Sequence, residues 1–247
     1  MFLHFYPTTP KDKCLVLVGG LGDTVEIFQP LVNEMSQLLP DHSICTFDLS
    51  PSTQDKRGLL EVQTEELKEV FKDLTDKYHF SQLDIWCTSM GAYATTKLMV
   101  DPQFAGRLNH VIFFDPAAYY LTSTFGTPGE EVTWSGHMDY QPREPVVSDM
   151  LTKLSSNVKV DVVHLTVRNH SSKGYIYSDY GKRGEDTPGE YPRLNTEMVK
   201  KFYSNLPDHN KGKYVEVNHL PHGFVRDGDI GDNLKKVAQV TADLLAK

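Results

Sequence analysis

The sequence has few cysteines and no spacing that would pair them. Its three, Cys14, Cys45 and Cys87, each lie within or at the end of a short apolar segment, and none has a Cys or His neighbour at zinc-ligand spacing. An odd number of cysteines in such segments is typical of reduced thiols in a core and not of a disulfide framework. We therefore expect a cytoplasmic protein without a structural metal.

Long apolar runs and excess positive charge are also missing. No apolar stretch approaches the ~20 residues that a membrane-spanning helix needs, and the short apolar start, Met1 to Tyr6, lacks the basic residues and cleavage site of a signal peptide. The 25 Lys and Arg residues are outnumbered by 33 Asp and Glu, which gives a formal net charge of −8. We therefore expect neither nucleic-acid binding nor stable membrane insertion.

What the chain does contain is an alternation of short apolar runs with longer amphipathic segments. Apolar runs that lead into Gly, Ser or Asp predict buried strands, and they cover 14–18, 44–47, 83–87 and 111–114. Apolar residues recur every three or four positions between Leu60 and Tyr78 and between Leu234 and Leu245, which predicts helices. This alternation predicts one α/β domain over residues 1–247, with a mostly parallel sheet and helices on both faces.

Two segments rich in Gly, Pro and Ser, 121–145 and 168–193, interrupt the alternation. Both follow strands predicted late in the chain, at the carboxyl edge where an α/β sheet keeps its binding crevice. Loops of this length in a compact domain usually serve a function. We predict that both border a ligand pocket, and that residues 121–157 form a small cap or lid insertion with a helix over 146–154.

The strongest functional signal is Cys87-Thr88-Ser89-Met90-Gly91, which lies between a predicted strand and a helix-like segment over 92–100. A serine on so tight a turn exposes its hydroxyl at the sheet edge, where the next backbone N–H group and the helix dipole face any oxyanion that forms. Small residues two positions before and after the serine allow the turn to close; Cys87 stands where the pattern usually has its first glycine. The alternative is an ordinary strand–helix turn that contains a serine.

A glycine-rich turn, Gly19-Gly20-Leu21-Gly22-Asp23-Thr24, follows the first strong strand. Backbone N–H groups exposed there, beside the serine turn, would supply a second donor to an oxyanion. The alternative is a phosphate-binding loop, with Asp48 at the end of the next strand as the acidic residue of a dinucleotide site. The spacing fits neither G-x-G-x-x-G nor the Walker pattern, so we favour the oxyanion interpretation.

Two histidines follow the last predicted strand, in Asn218-His219-Leu220-Pro221-His222-Gly223-Phe224. A general base for the serine must lie on a loop at this place to reach across the carboxyl edge of the sheet. His222 lies farther from the strand, so the loop can carry it over the serine, and we predict that it is the base. His219 is predicted to be a neighbouring or packed residue.

The order of these motifs resembles the α/β-hydrolase superfamily over nearly the whole chain, from Cys14 to Leu245. Gly20-Leu21-Gly22-Asp23-Thr24 resembles the turn of the acyl-protein thioesterase and carboxylesterase branch, with Gly19 where that branch has histidine. His222-Gly223-Phe224 matches a motif of several esterase and dienelactone-hydrolase branches. The resemblance singles out neither one branch nor a substrate.

The resemblance implies the α/β-hydrolase fold and a serine esterase or thioesterase activity without a metal or an organic cofactor. Ser89 would be the nucleophile and His222 the base, and the backbone N–H groups of Leu21 and Met90 would form the oxyanion hole. The expected partner is a small-molecule ester or acyl substrate. The alternative is a protein of the same fold that binds a small molecule with little or no catalysis.

The acid of the triad departs from the family pattern. Where the family most often has a carboxylate, after the penultimate strand, residues 167–171 read Val-Arg-Asn-His-Ser. Asp115, at the end of the 111–114 strand and followed by Pro116-Ala117, resembles the acid of the pancreatic-lipase branch, and we assign it that role. An Asp before a Pro often merely caps a turn, so Asp115 could have only that role. Asp179, in the long later loop, is the alternative acid.

Overall fold

A computed structural model describes residues 2–7, 12–20, 23–50, 58–116, 144–154, 157–167, 199–221, 224–225 and 230–246. The strands are β1 (His4–Tyr6), β2 (Lys13–Val18), β3 (His42–Thr46), β4 (Leu83–Ser89), β5 (Leu108–Pro116), β6 (Lys159–Val167) and β7 (Lys211–Pro221). The helices are α1 (Val25–Leu38), α2 (Leu59–Asp76), α3 (Gly91–Val100), α4 (Glu144–Thr152) and α5 (Ile230–Leu245). Residues 199–204 are also helical, and Ala105–Arg107 form a short 3₁₀ turn.

The strands form one sheet in the order β1-β3-β2-β4-β5-β6-β7. Strand β1 runs antiparallel to β3, and every other neighbouring pair is parallel. Because parallel strands end at the same edge, the segments that follow β2, β4, β5 and β7 meet at the carboxyl edge of the sheet. This edge therefore collects the glycine turn, the serine turn, the Asp115 position and the start of the histidine loop.

Helices pack on both faces of the sheet because side chains alternate along each strand. On β4, Ile85 and Cys87 face one apolar cluster, and Trp86 faces the other. Side chains of α2, α3 and α4 complete the first cluster, and those of α1 and α5 complete the second. The predicted fold class, a mostly parallel sheet between two layers of helix, is confirmed.

Helix α2 shows how the apolar period determines packing. Leu60, Leu67, Phe71 and Leu74 recur at helical spacing and are all buried against the sheet. Tyr78, which continues the same period in the sequence, lies beyond the end of the helix and is 41% exposed. No helix in the described part of the chain is long and apolar enough to cross a membrane.

The predicted helix over 146–154 is present as α4, within the segment 121–157 that we expected to form a cap or lid. Val147 and Leu151 are buried in the same apolar cluster as α3. Residues 121–143, like the other predicted pocket loop at 168–193, lie outside the described residues. The cap and both loop borders therefore stay predictions.

Candidate active site

Ser89 ends strand β4 in a strained conformation. Its φ is 49°, in the left-handed region that residues other than glycine rarely adopt, and α3 begins two residues later at Gly91. The side chain is half-buried, whereas the rest of β4 is buried. Such strain persists only where the surrounding structure holds it, and it is concentrated at functional sites. The strand–turn–helix geometry predicted for Ser89 is therefore present.

Close packing explains why the turn needs small residues. A Cβ atom on Gly91 would lie 2.6 Å from the Gly19 carbonyl oxygen and 2.9 Å from that of Val18, so the end of β2 leaves no room for a side chain. On the other side of the serine, Cys87 is fully buried, with its Sγ 3.7 Å from the Ile112 carbonyl oxygen. Burial raises the pKa of this thiol. Cys87 is therefore a protonated packing residue and not a competing nucleophile.

The glycine turn lies directly against the serine. A Cβ atom on Gly20 would approach the Cβ atom of Ser89 to 2.9 Å and its Oγ atom to 3.4 Å. The Gly20 backbone N–H group donates to Oδ2 of Asp23 at 2.7 Å, and the Asp23 N–H group donates back to the Gly20 carbonyl at 3.4 Å. These two bonds close the turn beside the hydroxyl of Ser89. Leu21, the predicted oxyanion donor, lies outside the described residues.

Asp48, the acidic residue of the phosphate-loop alternative, has a structural role. Oδ1 of Asp48 accepts a hydrogen bond from the Val25 backbone N–H group at 2.8 Å, in the first turn of α1. Thr24 caps the same helix, since its Oγ1 accepts from the Ile27 N–H group at 3.4 Å. A dinucleotide site would need this helix start and this carboxylate to face the ligand. Instead they bind each other, which weakens the phosphate-loop interpretation.

Asp115 lies at the end of β5, one strand away from Ser89. The strand register pairs Ser89 with Pro116, the residue after Asp115. Asp115 is 2% exposed and has a φ of 48°, so it is a second strained residue at this edge of the sheet. Its Oδ1 atom accepts two hydrogen bonds from β6, from Nδ1 of His164 at 3.1 Å and from the Leu165 backbone N–H group at 3.3 Å.

Tyr214 lies on β7, two strands from Asp115. Burial raises the pKa of the Tyr214 hydroxyl, and the negative charges of Glu216 and Asp115 raise it further. Tyr214 therefore keeps its proton at neutral pH.

The predicted base, His222, and the alternative acid, Asp179, lie outside the described residues, so their positions are not part of this geometry. Leu220 and Phe224, on the two sides of His222 in the chain, are both buried in the cluster beneath α1 and α5. His219 lies within β7 and does not follow it, because this strand continues to Pro221, beyond the predicted run. Its role as a neighbour of the base stays a prediction. Met90, the other predicted oxyanion donor, lies directly between Ser89 and α3.

Sequence reasoning missed His164 and the aromatic packing of Phe224. A histidine inside the otherwise apolar run of β6 was the available signal for the first, because a polar residue in a buried strand requires a partner. Nothing in the sequence indicated which residue that partner would be. Within the described part of the chain, no group of three or more His, Cys, Asp or Glu side chains is placed to hold a metal ion.

Solved structures with the same architecture are numerous, although their sequences are distant. Est1E from Butyrivibrio proteoclasticus, with ferulic acid bound, matches with a TM-score of 0.61 at 14% identity over 99% of this chain and 96% of its own. A bromoperoxidase from Bacillus anthracis matches with a TM-score of 0.62 at 11% identity, over 99% and 95% of the two chains. A monoacylglycerol lipase from Paleococcus ferrophilus matches with a TM-score of 0.58 at 12% identity, over 98% and 99%.

No protein-family model matches the chain, and no curated protein sequence matches it. At 11–15% identity, the structural matches establish architecture and do not establish activity. The matches in the three structures extend over 98–99% of this chain. The chain therefore has the α/β-hydrolase fold that its motifs predict.

Proposed function

We propose that the protein hydrolyses a carboxylic ester or thioester through an acyl-serine intermediate. The observation that carries this proposal is the placement of Ser89, held at a φ of 49° between β4 and α3 with the Gly19–Gly20 turn against its side chain. A serine in this setting has its hydroxyl at the sheet edge, where backbone N–H groups can donate hydrogen bonds to a developing oxyanion. An ordinary strand–helix turn has no need of that strain.

In the proposed reaction, Oγ of Ser89 attacks the substrate carbonyl while His222 takes the hydroxyl proton. The backbone N–H groups of Leu21 and Met90 stabilise the oxyanion of the tetrahedral intermediate. His222 then returns the proton to the leaving alcohol or thiol, and the acyl group stays on Ser89. Water, deprotonated by the same imidazole, releases the acid and restores the serine. Asp115 orients His222 and stabilises its protonated form.

The structural neighbours support a small-molecule ester as the substrate. These neighbours include Est1E with ferulic acid bound, a monoacylglycerol lipase and the esterase domain of a Rhodothermus marinus protein. The chemistry assigned to Ser89, His222 and Asp115 needs neither a metal nor an organic cofactor.

Labelling with a fluorophosphonate probe, followed by peptide mapping, tests the proposal. We expect the probe to modify Ser89 in the folded wild-type protein and to leave Ser89→Ala unmodified. A panel of p-nitrophenyl esters from acetate to decanoate should show turnover that Ser89→Ala lacks, and the preferred chain length will report the depth of the pocket. Absence of both labelling and turnover in a folded wild-type sample contradicts the proposal.

A second candidate is a binding protein on the same fold with little or no catalysis. It is favoured by residues 167–171, which lack the carboxylate that usually follows this strand, and by Cys87 in place of a glycine. This candidate predicts background rates with every ester in the panel, together with a small molecule that raises the melting temperature. Turnover that depends on Ser89 rules it out.

A further inference from the structure

Two buried His–Asp pairs join β5 to β6, one at each end of the strands. In the first, His164 on β6 donates from Nδ1 to Oδ1 of Asp115 on β5 at 3.1 Å. In the second, Nε2 of His110 on β5 lies 2.8 Å from Oδ2 of Asp161 on β6. All four side chains are buried. The two pairs have the same chemistry, but only the first lies at the edge of the sheet that carries Ser89.

Two neighbouring residues of β6, His164 and Leu165, bind the Asp115 carboxylate. The His164 imidazole and the Leu165 backbone N–H group both donate to the same oxygen, Oδ1, so they fix the rotation of the carboxylate as well as stabilising its charge. The register brings them together, because Phe114 pairs with Val163, each the residue just before a member of the pair. The strand β6 thus supplies two donors to the acid, while no carboxylate follows it at 167–171.

We propose that His164 is a positioning residue: it holds the Asp115 carboxylate in the orientation that the catalytic base requires. The proposal rests on the proposed function, in which Asp115 is the acid of the triad. A buried carboxylate whose rotation is fixed offers its charge in one direction only. With this assignment, the acid lies at the end of β5 and not in the loop after β6, and the His164 imidazole of β6 binds it there.

The second pair is an internal control. His110 lies opposite Asp84, which precedes Ser89 by five residues, or about 16 Å along an extended strand. Asp161 also accepts from the Lys213 backbone N–H group, and a Cβ atom on Gly212 would lie 1.9 Å from its Oδ1 atom. This pair is packed tightly between strands and remote from the serine. We assign it a structural role.

Four single variants separate the two roles. Asn places its amide nitrogen near the position of Nδ1 of histidine, whereas Gln places it near Nε2. His164→Asn therefore keeps a donor to Asp115, and His164→Gln removes it. His110 binds Asp161 through Nε2, so the order is reversed: His110→Gln keeps the donor, and His110→Asn removes it. All four substitutions are polar amides, so the pairs are matched in chemistry.

We expect His164→Gln to lower kcat for p-nitrophenyl acetate by roughly 10- to 100-fold with KM changed by less than about twofold. His164→Asn should stay within about fivefold of the wild-type kcat. His110→Asn should lower the melting temperature while its kcat per folded molecule stays within about threefold of wild type, and His110→Gln should change both less. If a His110 variant and His164→Gln lose kcat equally, the positioning role is wrong.

A double variant provides a second test, whose result does not depend on a change in stability. If His164 acts only through Asp115, then Asp115→Asn combined with His164→Gln should be no slower than Asp115→Asn alone. Independent, multiplicative losses overturn the proposal, and so does wild-type kcat in His164→Gln. When wild-type protein turns over esters but His164→Gln matches it, only the positioning role fails. When wild-type protein neither labels at Ser89 nor turns over esters, the proposed function fails and this inference fails with it.

Discussion

Phe224 packs edge to face on Trp86, with ring centroids 6.1 Å apart and ring planes at 87°. Trp86 lies on β4, three residues before Ser89, and Phe224 follows the predicted base, His222, by two residues. The Phe224 ring also contacts Phe114 on β5, at 5.6 Å between centroids. Through these two contacts, Phe224 joins the strand of the nucleophile, the strand of the proposed acid and the segment that carries the proposed base.

A fourth ring extends this cluster to the glycine turn. Phe28 on α1 lies edge to face on Trp86 at 6.0 Å, and its Cε2 atom would be 2.8 Å from a Cβ atom on Gly19. The aromatic cluster of Phe28, Trp86, Phe114 and Phe224 therefore joins β4, β5 and α1 and reaches Gly19 at the start of the glycine turn. We expect substitutions in it to affect the geometry of the site as well as stability.

Phe224→Leu is the first test of this expectation. The substitution should cost about 1–2 kcal/mol of stability and, because the base is two residues away, lower kcat by roughly 10- to 100-fold. Phe202→Leu is the matched control, since Phe202 is equally buried and lies edge to face on Phe113 in the other cluster. Kinetics below both melting temperatures should show a loss of kcat for Phe224→Leu only. Equal kcat in the two variants contradicts the expectation.

Gly20→Ala tests the contact between the glycine turn and the serine. The added Cβ atom would lie 2.9 Å from the Cβ atom of Ser89, so either the turn or the serine must shift. Because displacement of a reacting group by about 1 Å is costly, we expect kcat, measured below the melting temperature of the variant, to fall by roughly 100-fold. Gly106→Ala, where nothing lies within 4 Å of the added atom, should behave as wild type. Full activity in Gly20→Ala would show that the turn and the serine are not coupled.

The identity of the acid is tested by Asp115→Asn and Asp179→Asn, compared at equal distance below their melting temperatures. Loss of the carboxylate that orients the base should lower kcat by roughly 10²–10⁴-fold, because the imidazolium loses its partner and the imidazole its tautomer bias. We expect this loss for Asp115→Asn and an effect of less than about threefold for Asp179→Asn. The reverse result assigns the acid to the loop after β6.

Asp161 should make the protein sensitive to acid. Burial raises the pKa of its carboxyl group, but hydrogen bonds from His110 and the Lys213 N–H group, with the charges of His110 and Lys159, lower it more, so the net pKa lies below the usual value. An Asp whose pKa is lowered by folding stabilises the folded protein at any pH above its pKa in the unfolded chain, about 3.9. This stabilisation is lost as the pH falls through the pKa of the group in the folded protein. The melting temperature of wild type should therefore fall more steeply than that of Asp161→Asn below about pH 5.

Asp208 is the control for this pH dependence. Hydrogen bonding and charge from Lys211 also lower the pKa of its carboxyl group, but this side chain is 96% exposed. Solvent screens an exposed pair, so Asp208→Asn should follow the wild-type pH curve. Parallel curves for wild type and Asp161→Asn would show that the buried pair does not contribute to acid sensitivity.

The sequence predicted the parts of the fold whose signals are contiguous. Strand runs, helical periods and the turn around Ser89 each lie within a few residues, so local physics specifies them. The apolar period misled only at Tyr78, where α2 has already ended at Asp76. The glycine turn could be placed beside the serine because parallel strands must end at one edge.

The parts that could not be predicted depend on pairing between distant strands. His164 and Asp115 are 49 residues apart, and only the register of β5 with β6 brings them together. The same holds for Asp48, the acidic residue of the less favoured phosphate-loop alternative, which accepts a hydrogen bond from Val25 in the first turn of α1, 23 residues away. A residue type indicates that a partner is needed, but the identity of that partner is a property of the assembled sheet.

The burial of all three thiols has a practical consequence for chemical probing. Cys14, Cys45 and Cys87 are buried in the core, and burial raises the pKa of each. Thiolates are the form that reacts with electrophiles, and these positions supply almost none at neutral pH. An electrophile that attacks both sulfur and activated oxygen should therefore report on Ser89 in the native protein, with no cysteine replaced, and thiol adducts should appear only once the chain unfolds.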